Sequence, residues 1–341
     1  MSTTVIRTHR GRLRRRSALV LTGLFALTFG LFAIAMTAGS FVVSLPDVTA
    51  SVLHLVDNPP IDFIVRGIRL PRAATAVLAG LALGVSGAIF QRLLNNPLAS
   101  PDFVGISSGA GLAAVLSIMF FSGGLGTPVW ALIGGTVSAL LVYLLAWRDG
   151  ITGYRFILIG IGVAEFMTAI TGYLLSRAEI NDARAAMTWL VGSVGQAGGA
   201  EIAALAVTVA VLVPAATILE RPLRTVELGD ATARGLGLRV EPTRLALIGI
   251  ALVLVAVATA ATGPLAFVAL LAGPIARRLL GPAHGSVPGA ALVGGVIVLG
   301  ADLICQHLLP TDLPTGVITG AVGAPYLIWL LATVNRKGGG G

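Results

Sequence analysis

FVGISSGAGLAAVLSIMFFSGGLGTPVWALIGGTVSALLVYLLAW, residues 103–147, runs for 45 positions without one Asp, Glu, Lys or Arg. A helix needs about 20 residues to cross the hydrocarbon core of a bilayer. The stretch is therefore long enough for two crossings, with Ser122-Gly-Gly-Leu-Gly-Thr-Pro128 as the turn between them. Similar charge-poor runs flank it. They cover residues 17–46, 73–91, 156–176 (with the single acid Glu165), 202–219, 245–276, 279–301 and 313–335. Gly263-Pro264 interrupts the run at 245–276 and divides it into a seventh span and a shorter eighth. The reading is an all-α integral membrane protein with about ten transmembrane helices.

Composition agrees with lipid as the solvent. Of the 341 residues, 56 % are apolar and 11 % charged, where a soluble domain carries about 25 % charged residues. Mean hydropathy is +0.93. An ordinary cytosolic enzyme is excluded. The net charge of +8 does not point to nucleic acid, because the basic residues lie between apolar runs with no aromatic-and-basic module beside them. With the N-terminus placed in the cytoplasm, 18 of the 23 basic residues fall on inside segments, which is the bias that orients membrane proteins. Both termini are then cytoplasmic. The apolar run after Arg14-Arg-Arg16 exceeds 20 residues, against about 7–15 for the core of a signal peptide, and is read as a retained first span. Residues 1–16 form a basic cytoplasmic tail, 17–335 a single ten-span domain, and 336–341 a C-terminal tail.

Several chemistries are absent. Lys337 is the only lysine, so no phosphate-cradling Gly-x-x-x-x-Gly-Lys-Ser/Thr loop exists and ATP is not bound that way. One cysteine and four scattered histidines provide no metal-ligand spacing. No nucleophile elbow or triad arrangement is evident, so the chain reads as a non-enzyme. The intramembrane acids are Glu165 and Asp302. Glu165 is open to three readings: a proton relay, an interhelical hydrogen-bonded contact or a pore-lining group. Gly80-Leu-Ala-Leu-Gly84 with Gly87, and Gly316, Gly320 and Gly323, place small residues on helix faces where backbones can approach closely.

Two polar segments stand out. Nine of the 25 residues of the inside segment 220–244 are charged. Within it Asp230 is expected to N-cap a short helix over residues 231–236, with Gly237 as its stop and Arg234 near its carbonyl end. A docking helix and a solvated connector are both consistent with these residues. The other segment, Arg66-Gly-Ile-Arg69-Leu-Pro-Arg72, lies outside, against the charge rule. Pro71 suits a first helical turn and biases Leu70 towards extended geometry. Arg69 would then sit just beyond the second span. Arg72 would lie in its first turn, where the helix dipole disfavours a cation by about 0.3–1 kcal/mol. Docking to a partner and snorkelling to lipid phosphates remain alternatives.

In their order and spacing, further motifs resemble one family. They are Arg69-Leu-Pro-Arg72, Gly84-Val-Ser-Gly-Ala-Ile-Phe-Gln91, Asn96-Pro-Leu-Ala99, Gly105-Ile-Ser-Ser-Gly-Ala110, Leu228-Gly-Asp-Ala-Thr-Ala-Arg-Gly-Leu-Gly237, Gly263-Pro-Leu-Ala-Phe-Val268, Ala301-Asp302 and Leu313-Pro-Thr-Gly316. The chain resembles the FecCD-type permease subunits of bacterial ABC importers for ferric siderophores, haem and cobalamin, over nearly its whole length. The resemblance implies a subunit of the bacterial cytoplasmic membrane that moves a ferric siderophore inward, the alternatives being cobalamin or haem and, in a different class, an ion-coupled secondary carrier. The implied partners are a second permease subunit, two ATPase subunits and an extracytoplasmic binding protein. No cofactor is implied on this chain, since ATP and Mg would belong to the ATPase. The family's ATPase-coupling loop would fall on Leu228, Gly229, Asp230, Ala231, Ala233, Arg234, Gly235, Leu236 and Gly237. Arg69 and Arg72, with Arg66 beside them, would meet acidic residues of the binding protein. Two departures are visible. Gly273-Pro274 stands where the family usually has Pro-His, and Gln306 where an arginine is common. Both suit one half of a heterodimer.

Overall fold

The computed structural model describes residues 3–121, 126–147, 153–281, 287–309 and 313–338. Residues 122–125 of the expected turn and the inside residue Arg148 lie outside the described residues. Ten helices of at least 13 residues occur among the described ones. They are α1 (Thr3–Thr37), α2 (Leu70–Leu93), α3 (Ile106–Phe120), α4 (Thr127–Ala146), α5 (Gly153–Arg177), α6 (Gly199–Ile218), α7 (Val240–Thr262), α8 (Val268–Leu280), α9 (Val287–His307) and α10 (Thr315–Gly338). Among the described residues seven helices are long and apolar enough to cross a bilayer, the shorter apolar ones being α3 and the Thr315–Leu330 part of α10; α8 has 13 residues. The basic N-terminal tail is helical and continuous with the first span.

Burial sorts the helices. The hydrophobic window of the span containing α2 is 78 % buried and that of α9 67 %, against 17 % for α1, α5 and α6. The helix α2 is thus the axis of the bundle, flanked by α7, α8 and α9. Its glycines explain how. A Cβ at Gly80 would collide with the Gly294 backbone, one at Gly84 with the Ala290 carbonyl, and one at Gly87 with the Ala269 carbonyl. The small-residue stripe therefore packs inside the subunit, where close backbone approach replaces the hydrophobic driving force that lipid cannot supply. In the other stripe, Gly316 abuts the Val191 carbonyl and Gly323 the Phe267 side chain, but Gly320 faces open space. Ser86 donates to the Ala251 carbonyl at 2.7 Å and joins α2 to α7, a contact worth about 0.6 kcal/mol in a membrane interior. The peripheral helices turn large apolar side chains outward, among them Phe25, Leu144, Phe166 and Val207. Water would penalise such a surface and lipid does not. The chain is a multi-pass membrane protein.

The second span begins earlier than its sequence pattern suggests. Helix runs without a break from Pro59–Asp62 through a π-helical stretch, Phe63–Arg69, into α2. The Leu70 N–H bonds the Val65 carbonyl, five residues back, and this wider turn accommodates the ring and missing N–H of Pro71. Leu70 is accordingly α-helical (φ −61°, ψ −48°) rather than extended. Arg69 and Arg72 lie within the helical run, not at its start, which removes the dipole penalty expected for Arg72.

Candidate functional site

The charged segment between α6 and α7 folds into two short helices, Glu220–Val226 and Asp230–Gly235. Leu223, Val226 and Ala233 are buried and fix the segment to the bundle. Gly229, at φ +95°, occupies the N-cap of the second helix. Asp230 therefore does not cap it, as the sequence suggests, because it is the first helical residue. Its Oδ1 instead accepts from Arg244 at 2.7 Å. The far end follows expectation. Gly237 (φ +82°) donates to the Arg234 carbonyl and Leu238 to that of Ala233, the paired bonds of a left-handed helix stop. Of the residues selected from the sequence, Ala233 faces inward. Leu228, Gly229, Ala231, Arg234, Gly235, Leu236 and Gly237 are exposed, with Leu228 at 62 % and Leu236 at 67 %. Two exposed leucines framed by charges on a rigid turn suit a protein surface.

Arg92 on α2 is a residue that sequence reasoning passed over. Its Nε donates to Glu227 Oε1 at 2.5 Å and its Nη2 to Oε2 at 3.1 Å, while Glu220 Oε1 lies 3.7 Å from Nη1. The Arg92 side chain is 6 % exposed. Its partner lies 135 positions away, and no local pattern announces the pairing.

All three arginines of the other segment are engaged within the chain. Arg66 pairs with Asp62 at 2.8 Å and donates to Ser51. Arg69 donates to the carbonyls of Met36 and Phe41, capping the end of α1, where a cation is favourable. Arg72 forks onto both oxygens of Asp302 (Nε at 3.2 and 3.1 Å, Nη2 at 2.9 Å). Asp302 also accepts from Gln306 and from Thr315, the first residue of α10. The two intramembrane acids thus separate. Asp302 is enclosed and paired, whereas Glu165 is exposed on α5.

A cavity of about 460 Å³ opens among Ser100, Asp102, Ser107, the turn at 264–267, Leu270 and Gly316. A neighbouring one of about 260 Å³ adds Ser108, Thr168 and Thr171. Ser100 and Ser107 hydroxyls donate to the Asp102 carboxylate at 2.9 and 2.8 Å. Burial pushes the Asp102 carboxyl up, and the two hydroxyls oppose it. Phe267, at φ +66°, turns the chain from α7 into α8 at the cavity wall. Among the described residues no group of three His, Cys, Asp or Glu side chains is placed to hold a metal ion.

Comparison with known proteins gives concordant results. The FecCD transport family matches residues 26–333. The ferric enterobactin transport system permease protein FepG of Escherichia coli is 41 % identical over 323 residues, covering 94 % of this chain and 95 % of that protein. The achromobactin transport system permease protein CbrC of Dickeya dadantii is 41 % identical over 273 residues, covering 79 % of this chain and 78 % of that protein. Among solved structures, an inward-facing conformation of a transporter described as metal-chelate type ABC superposes with a TM-score of 0.83 at 26 % identity, covering 93 % of this chain and 99 % of the other.

Proposed function

The chain belongs to the FecCD transport family, and from that premise we propose that it is the permease subunit of an ATP-driven importer that carries a ferric siderophore across the bacterial cytoplasmic membrane. The carrying observation is the 41 % identity to a ferric enterobactin permease over 94 % of the chain. In this reading the helices α1 to α10 are ten spans, the shorter α3, α8 and α10 included, and both termini are cytoplasmic. Residues 17–335 are one permease domain between two short tails. The partners are a second permease subunit, two ATPase subunits and an extracytoplasmic binding protein. ATP and Mg are bound by the ATPases, and this chain makes and breaks no bonds.

The segment 220–244 is the ATPase contact. Its rigid second helix, with Leu228 and Leu236 exposed, takes the push of ATPase closure and tilts the spans joined to it. Arg66, Arg69 and Arg72, each half-buried, face the binding protein. The exposed Glu165 and the two cavities belong to the route between subunits. A strain lacking the chain should lose uptake of ferric siderophores labelled with radioactive iron and regain it from a plasmid copy. Intact siderophore uptake with loss of labelled cobalamin or haem would reassign the substrate. Uptake halted by a protonophore at constant ATP would favour an ion-coupled carrier.

A further inference from the structure

Gln91 and Arg92 are adjacent and both buried, at 2 % and 6 % exposure, at the end of the central helix α2. Adjacent helical residues project about 100° apart, so one helix end grips two different elements. Arg92 holds Glu227 and Glu220 of the charged segment. Gln91 donates its amide N–H to the Leu270 carbonyl of α8 at 2.9 Å.

The sequence around that carbonyl explains the contact. Within a helix the Leu270 carbonyl would receive the N–H of residue 274, but residue 274 is proline and has none. An orphan carbonyl in a dry interior costs about 1–3 kcal/mol, and Gln91 supplies the missing donor. Gly273 makes room for it, since a Cβ there would collide with Gln91 Oε1. Arg277 Nη2, one turn on, reaches the same oxygen at 3.4 Å. The Gly273-Pro274 departure from the family pattern is thus matched by one side chain of α2. Leu270 also lines the 460 Å³ cavity beside Leu265, Ala266 and Phe267.

We propose that Gln91 and Arg92 are positioning residues that join the charged segment to the cavity wall, so that displacement of Glu227 is delivered through the end of α2 to α8. The inference rests on the reading of segment 220–244 as the ATPase contact. A loose hydrophobic contact would let the segment slide. A forked ion pair on a buried arginine and a hydrogen bond that replaces a backbone donor hold direction as well as distance.

The complex purified from the native membrane, with Cys305→Ala to remove this chain's one native thiol, carries a reporter cysteine at Ala266→Cys in the wall or at Leu236→Cys on the segment, and labelling is read on this subunit's band. Maleimide labelling is timed without nucleotide and with ATP plus vanadate. In the parent, both reporters should change rate between the two states by about fivefold or more, the lower end of ordinary coupling free energies. With Glu227→Gln or Gly273→Ala, the Leu236→Cys change should persist while the Ala266→Cys change falls below about twofold. Gly273→Ala displaces Gln91 without altering any charge and serves if Glu227→Gln fails to assemble. Undiminished Ala266→Cys changes in these variants, or no change at Ala266→Cys in a parent whose Leu236→Cys responds, overturn the joint and leave the ATPase contact standing. A Leu236→Cys rate indifferent to nucleotide overturns the contact reading and the joint with it.

Discussion

Arg72 and Asp302, 230 positions apart in sequence, meet in a forked ion pair whose carboxylate is 1 % exposed. The pair connects α2 to α9, and through Thr315 to the start of α10. Removing one partner of a buried pair leaves an unpaired charge, at a cost of about 3–5 kcal/mol. Arg72→Ala is therefore expected to lower the thermal midpoint of the purified subunit strongly, and Arg72→Ala with Asp302→Asn much less. Equal losses in the single and double variants, measured by fluorescence-detected unfolding in detergent, would contradict the pairing.

Docking of the binding protein should separate the three arginines. Arg69→Glu with Arg72→Glu should weaken docking and slow uptake, and wild-type docking should weaken as salt rises. Because Arg72→Glu also sets two carboxylates face to face, Arg69→Glu alone is the cleaner variant: it loses two carbonyl contacts but meets no buried acid. Unchanged binding of the loaded binding protein at low salt, by a correctly inserted Arg69→Glu, Arg72→Glu complex, would return these residues to lipid anchoring.

Coupling should depend on the left-handed stop of the Asp230–Gly235 helix. Gly237 sits at φ +82°, a conformation that costs a branched residue about 1–2 kcal/mol. Gly237→Val should misdirect Leu236 and uncouple ATP hydrolysis from uptake while membrane insertion persists. Reversing Asp230 and Arg234 should do the same, since each pairs on this segment, with Arg244 and Glu241. Normal ratios of ATP hydrolysed to iron imported in both variants would remove the segment from the coupling role.

A second, different permease subunit should accompany this chain. The ground is the two departures from the family pattern, Gly273-Pro274 and Gln306, which a heterodimer admits because its other half can keep the usual residues; within this chain Gln91 bonds the Leu270 carbonyl and Gln306 bonds Asp302. Affinity purification from the native membrane should recover another multi-span protein and an ATPase. A fully active complex containing only copies of this chain would exclude the heterodimer.

Helix positions were legible in the sequence because absence of charge over 20 residues has few other physical meanings. The break at Gly263-Pro264 and the stop at Gly237 were legible for the same local reason, namely residues that cannot continue a helix. The start of the second span was not. Arg66 and Arg69 read as lying outside the span, yet each finds a partner within the helical run or against α1. The pairings of Arg92 with Glu227 and Arg72 with Asp302 were illegible in principle, since they arise from tertiary packing across 135 and 230 positions. Glu165 and Asp302 look alike in the sequence, and only the bundle separates an exposed acid from an enclosed one.

Asp102 should give the cavity a measurable pH signature. Burial raises its carboxyl above the ordinary aspartate value of 3.8, although hydrogen bonds from Ser107 and Ser100 pull the other way. A carboxyl raised on folding binds its proton more tightly in the native state than in the unfolded one. Its contribution to stability is then fully present below the unfolded value and is lost as pH rises through the folded value. Asp102→Asn cannot titrate, so it should lack this component, and above the folded value the variant should gain relative to the parent. The difference between the two unfolding profiles isolates Asp102 from the other acids, because their contributions cancel. The loss of two charge-assisted hydroxyl bonds adds an offset that does not depend on pH over the upper plateau. Thermal midpoints of both proteins in the same detergent, taken from pH 4 upward at about half-unit steps, test this directly. A parent that gains stability over Asp102→Asn as pH rises would mean that the hydroxyls outweigh burial and hold the carboxylate ionised.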